Sequence, residues 1–271
     1  RSGRDALGVL ARNYFRNPSG EMTLLGVTGT SGKTTVAYLL ESIFRKAGFT
    51  CGVLGTVNYR YAGKIFPTPE SYEMQRILRE MADAGVTHVI AEVSSHALDL
   101  KRVDACDFDL GIFTNLTPEH LDYHADMESY FRAKKRLFAE ILPQSRKRLP
   151  TKAIINGDDA WGLKILNEVE LPTVSFGLNK KNIVHAKISA LSLEGIQADV
   201  FLPGKKISIA SELIGKFNLY NILAAVAAAW VLGIAPETIQ TGIQNLRCVP
   251  GRLEKIASPL GFNIFVDYAH K

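Results

Sequence analysis

Residues 26–35, "GVTGTSGKTT", are where the chain's side chains and spacing speak most directly of chemistry. Backbone N–H groups of a Gly-rich turn that opens a helix form a ready anion site. Lys33 adds a point charge suited to β- and γ-phosphates, and the Thr34 hydroxyl can ligate magnesium. The usual phosphate loop is spelled G-x-x-x-x-G-K-[ST]. Here the position five before Gly32 is Val27, and Gly29 follows two residues later. Gly29 and Gly32 can still supply the tight curvature, so Val27 does not exclude the loop. The competing reading is a strand–helix corner with glycines for sterics alone, and the contiguous GKTT argues against it.

Other chemistry-bearing residues lie far along the chain. Glu92, in "AEVSSHALDLKR", interrupts an apolar strand near its carboxyl end, where it can hold a magnesium ion or pair with a buried base. Ser94, Ser95 and His96 follow, and Arg102 can clamp a carboxylate or phosphate with two parallel hydrogen bonds. "TNLTPEHLDYH" carries His120 and His124 four apart. An H-x-x-x-H pair can bind zinc. Pro118 and the want of an obvious third ligand favour instead a single imidazole serving magnesium or phosphate. Lys134, in "FRAKKRLF", is ambiguous from sequence alone, a lysine on a helix being usually a solvated charge. Its ammonium would repel a metal, and only reaction with carbon dioxide, giving an anionic carbamate, would make it a ligand. Asn218 and Asn221 stand one turn apart at a helix start, able to cap it or to meet an adenine edge. Arg252, Asp267 and His270 near the end suit ribose and phosphate contacts.

These residues need a scaffold. "MTLLGV" (22–27) is a strand-like run, and "KTTVAYLLESIFRKAG" has helical periodicity up to Gly48, so the loop joins a strand to a helix. Strand-like runs at 51–57, 87–95, 109–116 and 152–159 alternate with helical ones at 72–85 and 127–142. That alternation predicts an α/β fold of P-loop type: a mostly parallel sheet flanked by helices, with ligands beyond the carboxyl ends of the strands. Residues 183–210 alternate with period two and hold Glu194-Gly195 and Pro203-Gly204 turn signals, which predicts a small additional antiparallel β-sheet. Helices at 218–232 and 236–246 and a strand at 262–269 complete the pattern.

Composition sets outer bounds. The 271 residues are 46% hydrophobic and carry a net charge of +5, ample for a folded core and with the basic excess scattered. The densest basic run, "QSRKRLPTK" (144–152), reads as a solvated connection rather than a nucleic-acid patch. Three cysteines far apart, without CxxC pairing, fit a reducing, cytoplasmic setting, and Cys51 and Cys106 sit among apolar neighbours. The longest apolar run, 222–235, is too short to cross a bilayer and reads as a buried helix.

Taken together, "GTSGKT", "EVSSHALDLKRV", "HLDYH" and "GKFNLYNILAA" resemble the Mur ligase family of peptidoglycan synthesis, whose own loop is spelled G-T-x-G-K-T. The match covers nearly the whole chain as that family's central domain. The resemblance implies ATP and magnesium as cofactors, with Gly29, Thr30, Ser31, Gly32, Lys33, Thr34 and Thr35 around the phosphates. It implies Thr34 and Glu92 on one magnesium, and His120 with a carbamylated Lys134 on a second. Asn218 and Asn221 would face adenine, and Arg252 and Asp267 the ribose. Thr68, Ser94 and Arg102 would touch a UDP-muramyl dipeptide, although Pro67 stands where relatives often carry a first threonine. The implied reaction joins a diamino acid to UDP-MurNAc-L-Ala-D-Glu through an acyl phosphate, in a monomeric enzyme with neither nucleic-acid partner nor membrane insertion. It also implies that residues 1–21 are the linker from an N-terminal uridine-binding domain, 22–258 the ATP-binding domain, and 259–271 the start of the link to a C-terminal domain. The chain by itself is then expected not to complete ligation.

Other readings keep some of these features. A related ligase could add glutamate to folate or D-Ala-D-Ala to the muramyl peptide. A non-catalytic nucleotide-binding module fits less well, given Lys33, Glu92, His120 and Lys134 together. A signalling GTPase would need N-K-x-D, and "LNKKN" (178–182) lacks the Asp.

Overall fold

In a computed structural model the described residues are 3–55, 59–60, 69–148, 151–256 and 262–268. The phosphate loop does join a strand to a helix. β1 (Thr23–Thr28) runs into the loop, and α2 (Lys33–Lys46) leaves it. Then come β2 (Cys51–Leu54), β3 (Tyr59–Arg60), α3 (Ser71–Asp83), β4 (His88–Glu92), α4 (Ser95–Asp99) and β5 (Leu110–Phe113). After α5 (Met127–Arg136) come β6 (Lys152–Asn156), α6 (Ala160–Glu168) and β7 (Thr173–Gly177). β8 (Val184–Ser192), β9 (Gly195–Leu202) and β10 (Lys205–Ser211) precede α7 (Lys216–Val231) and α8 (Pro236–Asn245). The chain closes with β11 (Glu254–Ile256) and β12 (Ile264–Val266).

Ten of these strands form one sheet, ordered β10-β9-β8-β7-β6-β5-β1-β4-β2-β3. The pairings from β2 through β8 are parallel. The meander β8–β10 therefore extends the main sheet at its edge, turning at Gly195 and Gly204 where the sequence signals lay. The last two strands pair only with each other, as a separate antiparallel ribbon.

The order explains how distant residues meet. β1 lies between β4 and β5, with Val27 opposite Glu92 and Thr28 opposite Phe113. β4, β1 and β5 are adjacent and parallel, so the loops after their carboxyl ends open side by side, where doubly wound sheets place ligands. Period-two alternation divides β1 between two cores. Leu25 and Val27 pack with α2, α7 and α8, while Leu24 faces the side holding α3, α5 and α6. Val27 is fully buried beside Val36, an apolar position that a glycine would leave empty. The curvature comes instead from Gly29 and Gly32, at φ 146° and 91°. A Cβ on Gly29 would stand 1.9 Å from Thr114 Oγ1.

Several expectations change. Residues 3–14, within the expected linker, form helix α1 (Gly3–Tyr14), which packs on α3; Gly8, Ala11 and Arg12 are buried while Leu7, Val9, Leu10 and Tyr14 stay exposed. The strands end earlier than their apolar runs because loops take over at the polar residues. The helix expected to reach 142 is α-helical only to Arg136 and then makes a π turn over Leu137–Ile141. The basic run is not wholly solvated. Lys147 is only 10% exposed and bonds to the carbonyls of Ser19 and Met22 and to Asp109. Cys106 is buried as expected, Cys51 is half-buried, and burial pushes both thiols up to about 12.

Candidate functional site

The loop is clamped from the β5 side. Thr30 N donates to Asn115 O (2.9 Å), and Ser31 N donates to Asn115 Oδ1 (3.0 Å). Thr114 Oγ1 and Asn115 Nδ2 both donate to Ser31 O, at 2.7 and 3.2 Å. Asn156 Nδ2 in turn holds Thr114 O at 2.7 Å. The first N–H groups of α2, at Thr34 and Thr35, have no acceptor inside the helix and carry its positive dipole end. α2 is capped by Gly32 without a side-chain hydrogen bond, which leaves that end for an anion.

Four expected site residues converge here. Thr34 Oγ1 donates to Glu92 Oε2 at 3.0 Å, and Glu92 is 8% exposed at the tip of β4. Lys33 Nζ folds back over the loop, donating to Gly29 O and Thr30 O, each at 2.9 Å. Lys134 comes from α5 on the opposite side. It is 1% exposed, and its Nζ donates to the same Gly29 carbonyl at 2.9 Å. Lys134 is therefore not the solvated charge that a helical lysine usually is. Its amine is held well below the usual lysine range by burial and then by the Lys33 ammonium, against a smaller pull from Glu119. A neutral amine is the form that can react with carbon dioxide.

His120 stands at the rim, exposed, in a left-handed conformation (φ 57°). Desolvation lowers its pKa, as do the neighbouring His96, Lys134 and Lys33, while Glu119 opposes them. His124 is not beside it as a second ligand. It is 5% exposed and stacks on Tyr130, ring centroids 5.0 Å apart. His96 touches both imidazoles, at 5.2 and 5.8 Å between centroids. Among the described residues no three His, Cys, Asp or Glu side chains converge as a metal cluster.

The remaining expected residues occupy varied places. Ser94 caps α4, accepting from Ala97 N at 3.1 Å. Arg102 pairs with Glu70 at 2.6 Å, leaving its Nε buried without an acceptor. Thr68 and His270 lie outside the described residues. Asn218 and Asn221 are buried within α7, and neither caps it. Asn218 Nδ2 donates back to Ile214 O at 2.8 Å, and Asn221 Nδ2 donates to Asn218 Oδ1 at 3.0 Å. Asn221 backs the loop so closely that a Cβ on Gly32 would lie 2.3 Å from its Oδ1. Arg252 and Asp267 sit on the terminal ribbon, where the Asp267 carboxylate accepts from Leu253 N at 2.8 Å. Sequence reading missed Thr114, Asn115 and Tyr130. Thr114 and Asn115 follow β5, one strand over from the loop, and Tyr130 comes from α5; only the assembled sheet reveals their role.

Fold and site together define a doubly wound α/β domain with a phosphate loop beside a carboxylate and a buried lysine. The model of the Mur ligase middle domain matches residues 27–229, and the chain belongs to that family. It is 45% identical over 271 residues to the UDP-N-acetylmuramoyl-L-alanyl-D-glutamate–2,6-diaminopimelate ligase of Geobacter metallireducens, covering 98% of this chain and 53% of that protein. The equivalent ligase of Geobacillus kaustophilus is 40% identical, with 98% and 55% covered. A solved structure of a ligase of that name superposes with a TM-score of 0.84 at 27% identity, over 94% of this chain and 53% of the other. A Mycobacterium tuberculosis folylpolyglutamate synthase, complexed with ADP and AMPPCP, shares the fold at TM-score 0.79 and 17% identity, over 98% and 67% of the two chains. The chain thus spans about half the length of the curated relatives it matches.

Proposed function

We propose that this chain is the ATP-binding domain of a MurE-type ligase, which joins 2,6-diaminopimelate to UDP-MurNAc-L-Ala-D-Glu. The observation that carries the reading is the Thr34–Glu92 contact beside a loop already crossed by Lys33. The names of the relatives support diaminopimelate over lysine. The cytoplasmic setting and monomeric state belong to the same proposal; among the described residues no helix is long and apolar enough to cross a membrane.

Thr34 and Glu92 offer hard oxygen donors 3.0 Å apart, a donor set suited to magnesium. When bound there, the ion would offset phosphate charge. His120, and Lys134 once carbamylated, would hold a second. Lys33 would leave its two loop carbonyls for the β- and γ-phosphates, and the α2 N–H groups would cradle them. The problem these groups solve is the approach of two anions, the substrate carboxylate and the γ-phosphate. A carboxylate oxygen bonds to the γ-phosphorus as ADP departs. The diamino acid's amine then attacks the acyl carbon, phosphate leaves, and the amine's proton passes to solvent. Asn218 and Asn221 would face adenine, Asn221 also backing the loop at Gly32. Ser94 and Arg102 would contact the muramyl substrate, and Arg252 and Asp267 the ribose.

The test is product analysis with the full-length protein, ATP and UDP-MurNAc-L-Ala-D-Glu, offering diaminopimelate or lysine. Amide formation with diaminopimelate, lost in Lys33→Ala, is the expected result. Turnover only with UDP-muramyl tripeptide and D-Ala-D-Ala, or only with folate and glutamate, would replace the reading.

A further inference from the structure

The hydrogen-bond inventory around Thr30 leaves Tyr130 a single role. Thr30 Oγ1 lies 3.0 Å from Thr117 N, 3.3 Å from Thr117 O and 3.1 Å from the Tyr130 hydroxyl. A hydroxyl has one proton and two lone pairs. Thr117 N–H takes one lone pair, and the Thr30 proton is directed to the Thr117 carbonyl. The second lone pair is then filled only if Tyr130 donates. Burial pushes the Tyr130 phenol up to about 12, so it keeps its proton at neutral pH.

The ring of Tyr130 is as engaged as its hydroxyl. It is 0% exposed, and Lys134 Nζ sits 4.7 Å from its centroid. Tyr130 and Lys134 are four apart on α5, neighbours on one helix face. His124 stacks on the ring, and His120 meets it edge-on at 6.0 Å. One side chain thus touches the phosphate loop, the buried lysine and both histidines.

We propose that Tyr130 is a positioning residue of the phosphate site. Its hydroxyl completes and holds the Thr30 hydroxyl, which itself bonds to Thr117, and its ring fixes the reach of Lys134 to the Gly29 carbonyl. This rests on the nucleotide-binding reading of the same loop. A merely structural aromatic would need the ring but not the hydroxyl.

The experiment compares wild type, Tyr130→Phe, Tyr130→Leu and Lys33→Ala in the full-length protein. Calorimetric titration gives Kd for magnesium-ATP and for the UDP-muramyl dipeptide, with thermal unfolding run in parallel. Tyr130→Phe should weaken ATP binding by about three- to tenfold, the loss of one hydrogen bond, with the dipeptide Kd and the unfolding temperature essentially unchanged. Tyr130→Leu should weaken ATP binding further. An unchanged ATP Kd in Tyr130→Phe, while Lys33→Ala loses ATP, overturns the proposal and leaves the site reading standing. Equal loss of both ligands with a lowered unfolding temperature also overturns it, since that is general loosening. Normal ATP binding by Lys33→Ala overturns the site reading and this proposal with it.

Discussion

Gly32→Ala tests the loop geometry most sharply. Gly32 has φ +91°, and an added Cβ would lie 2.3 Å from Asn221 Oδ1. A left-handed backbone costs a non-glycine residue about 1–2 kcal/mol. Moving the Asn221 amide aside breaks its 3.0 Å bond to Asn218, adding about 1 kcal/mol. The sum, about 2–3 kcal/mol, corresponds to a fall in unfolding temperature of roughly 4–6 °C for a domain of this size. Where the loop shifts to relieve the strain, the α2 N–H groups no longer converge, and ATP affinity drops at least about tenfold. Thermal unfolding and calorimetric titration measure the two effects. Asn221→Ala in the same molecule removes the contact but not the φ strain, so the double variant should recover about 1 kcal/mol. Native stability and affinity in Gly32→Ala would refute the argument. Strict additivity of the two substitutions would refute its steric part.

Other expectations follow from single contacts. Burial lowers His88 to about 4, with its ring stacked on Phe49. The unfolded state therefore binds more protons between about pH 4 and 6.5, and stability falls as pH falls through that window. His88→Phe should flatten this limb of the unfolding-temperature profile. Arg136 donates to Asp104 and Glu140 and to the Leu98 carbonyl, and burial already raises Asp104. Arg136→Met should cost about 1–3 kcal/mol, measured by denaturant unfolding, and Asp104→Leu in the same molecule should restore part of it. Lys134→Arg puts a permanent positive charge where the account needs an anionic carbamate, which arginine cannot form. Ligation should fall by orders of magnitude, while ATP still binds by titration.

The loop, Glu92 and the layered α/β plan were legible because each rests on a local pattern. Strand, turn and helix signals flank GKTT, and an acid inside an apolar strand stands out. Lys134 was not legible as a buried group. On a helix with basic neighbours it looks solvated, and its burial arises only because α5 turns Tyr130 and Lys134 together towards the loop. Thr114 and Asn115 were equally silent, since polar residues after a strand are ordinary until β5 is known to lie beside β1. The paired asparagines were read as cap or adenine contacts; neither caps α7, Asn218 reaching back to the Ile214 carbonyl and Asn221 bonding Asn218 and packing behind Gly32. Helix α1 was overlooked because its short apolar face carries exposed Leu10 and Tyr14.

The central claim is that this site activates a carboxylate by phosphorylation. The direct measurement uses UDP-MurNAc-L-Ala-D-Glu labelled with oxygen-18 in the glutamate carboxylate, turned over by the full-length protein with ATP and diaminopimelate. Transfer of one labelled oxygen into the released phosphate is the predicted result. Amide formation with wholly unlabelled phosphate would contradict the account.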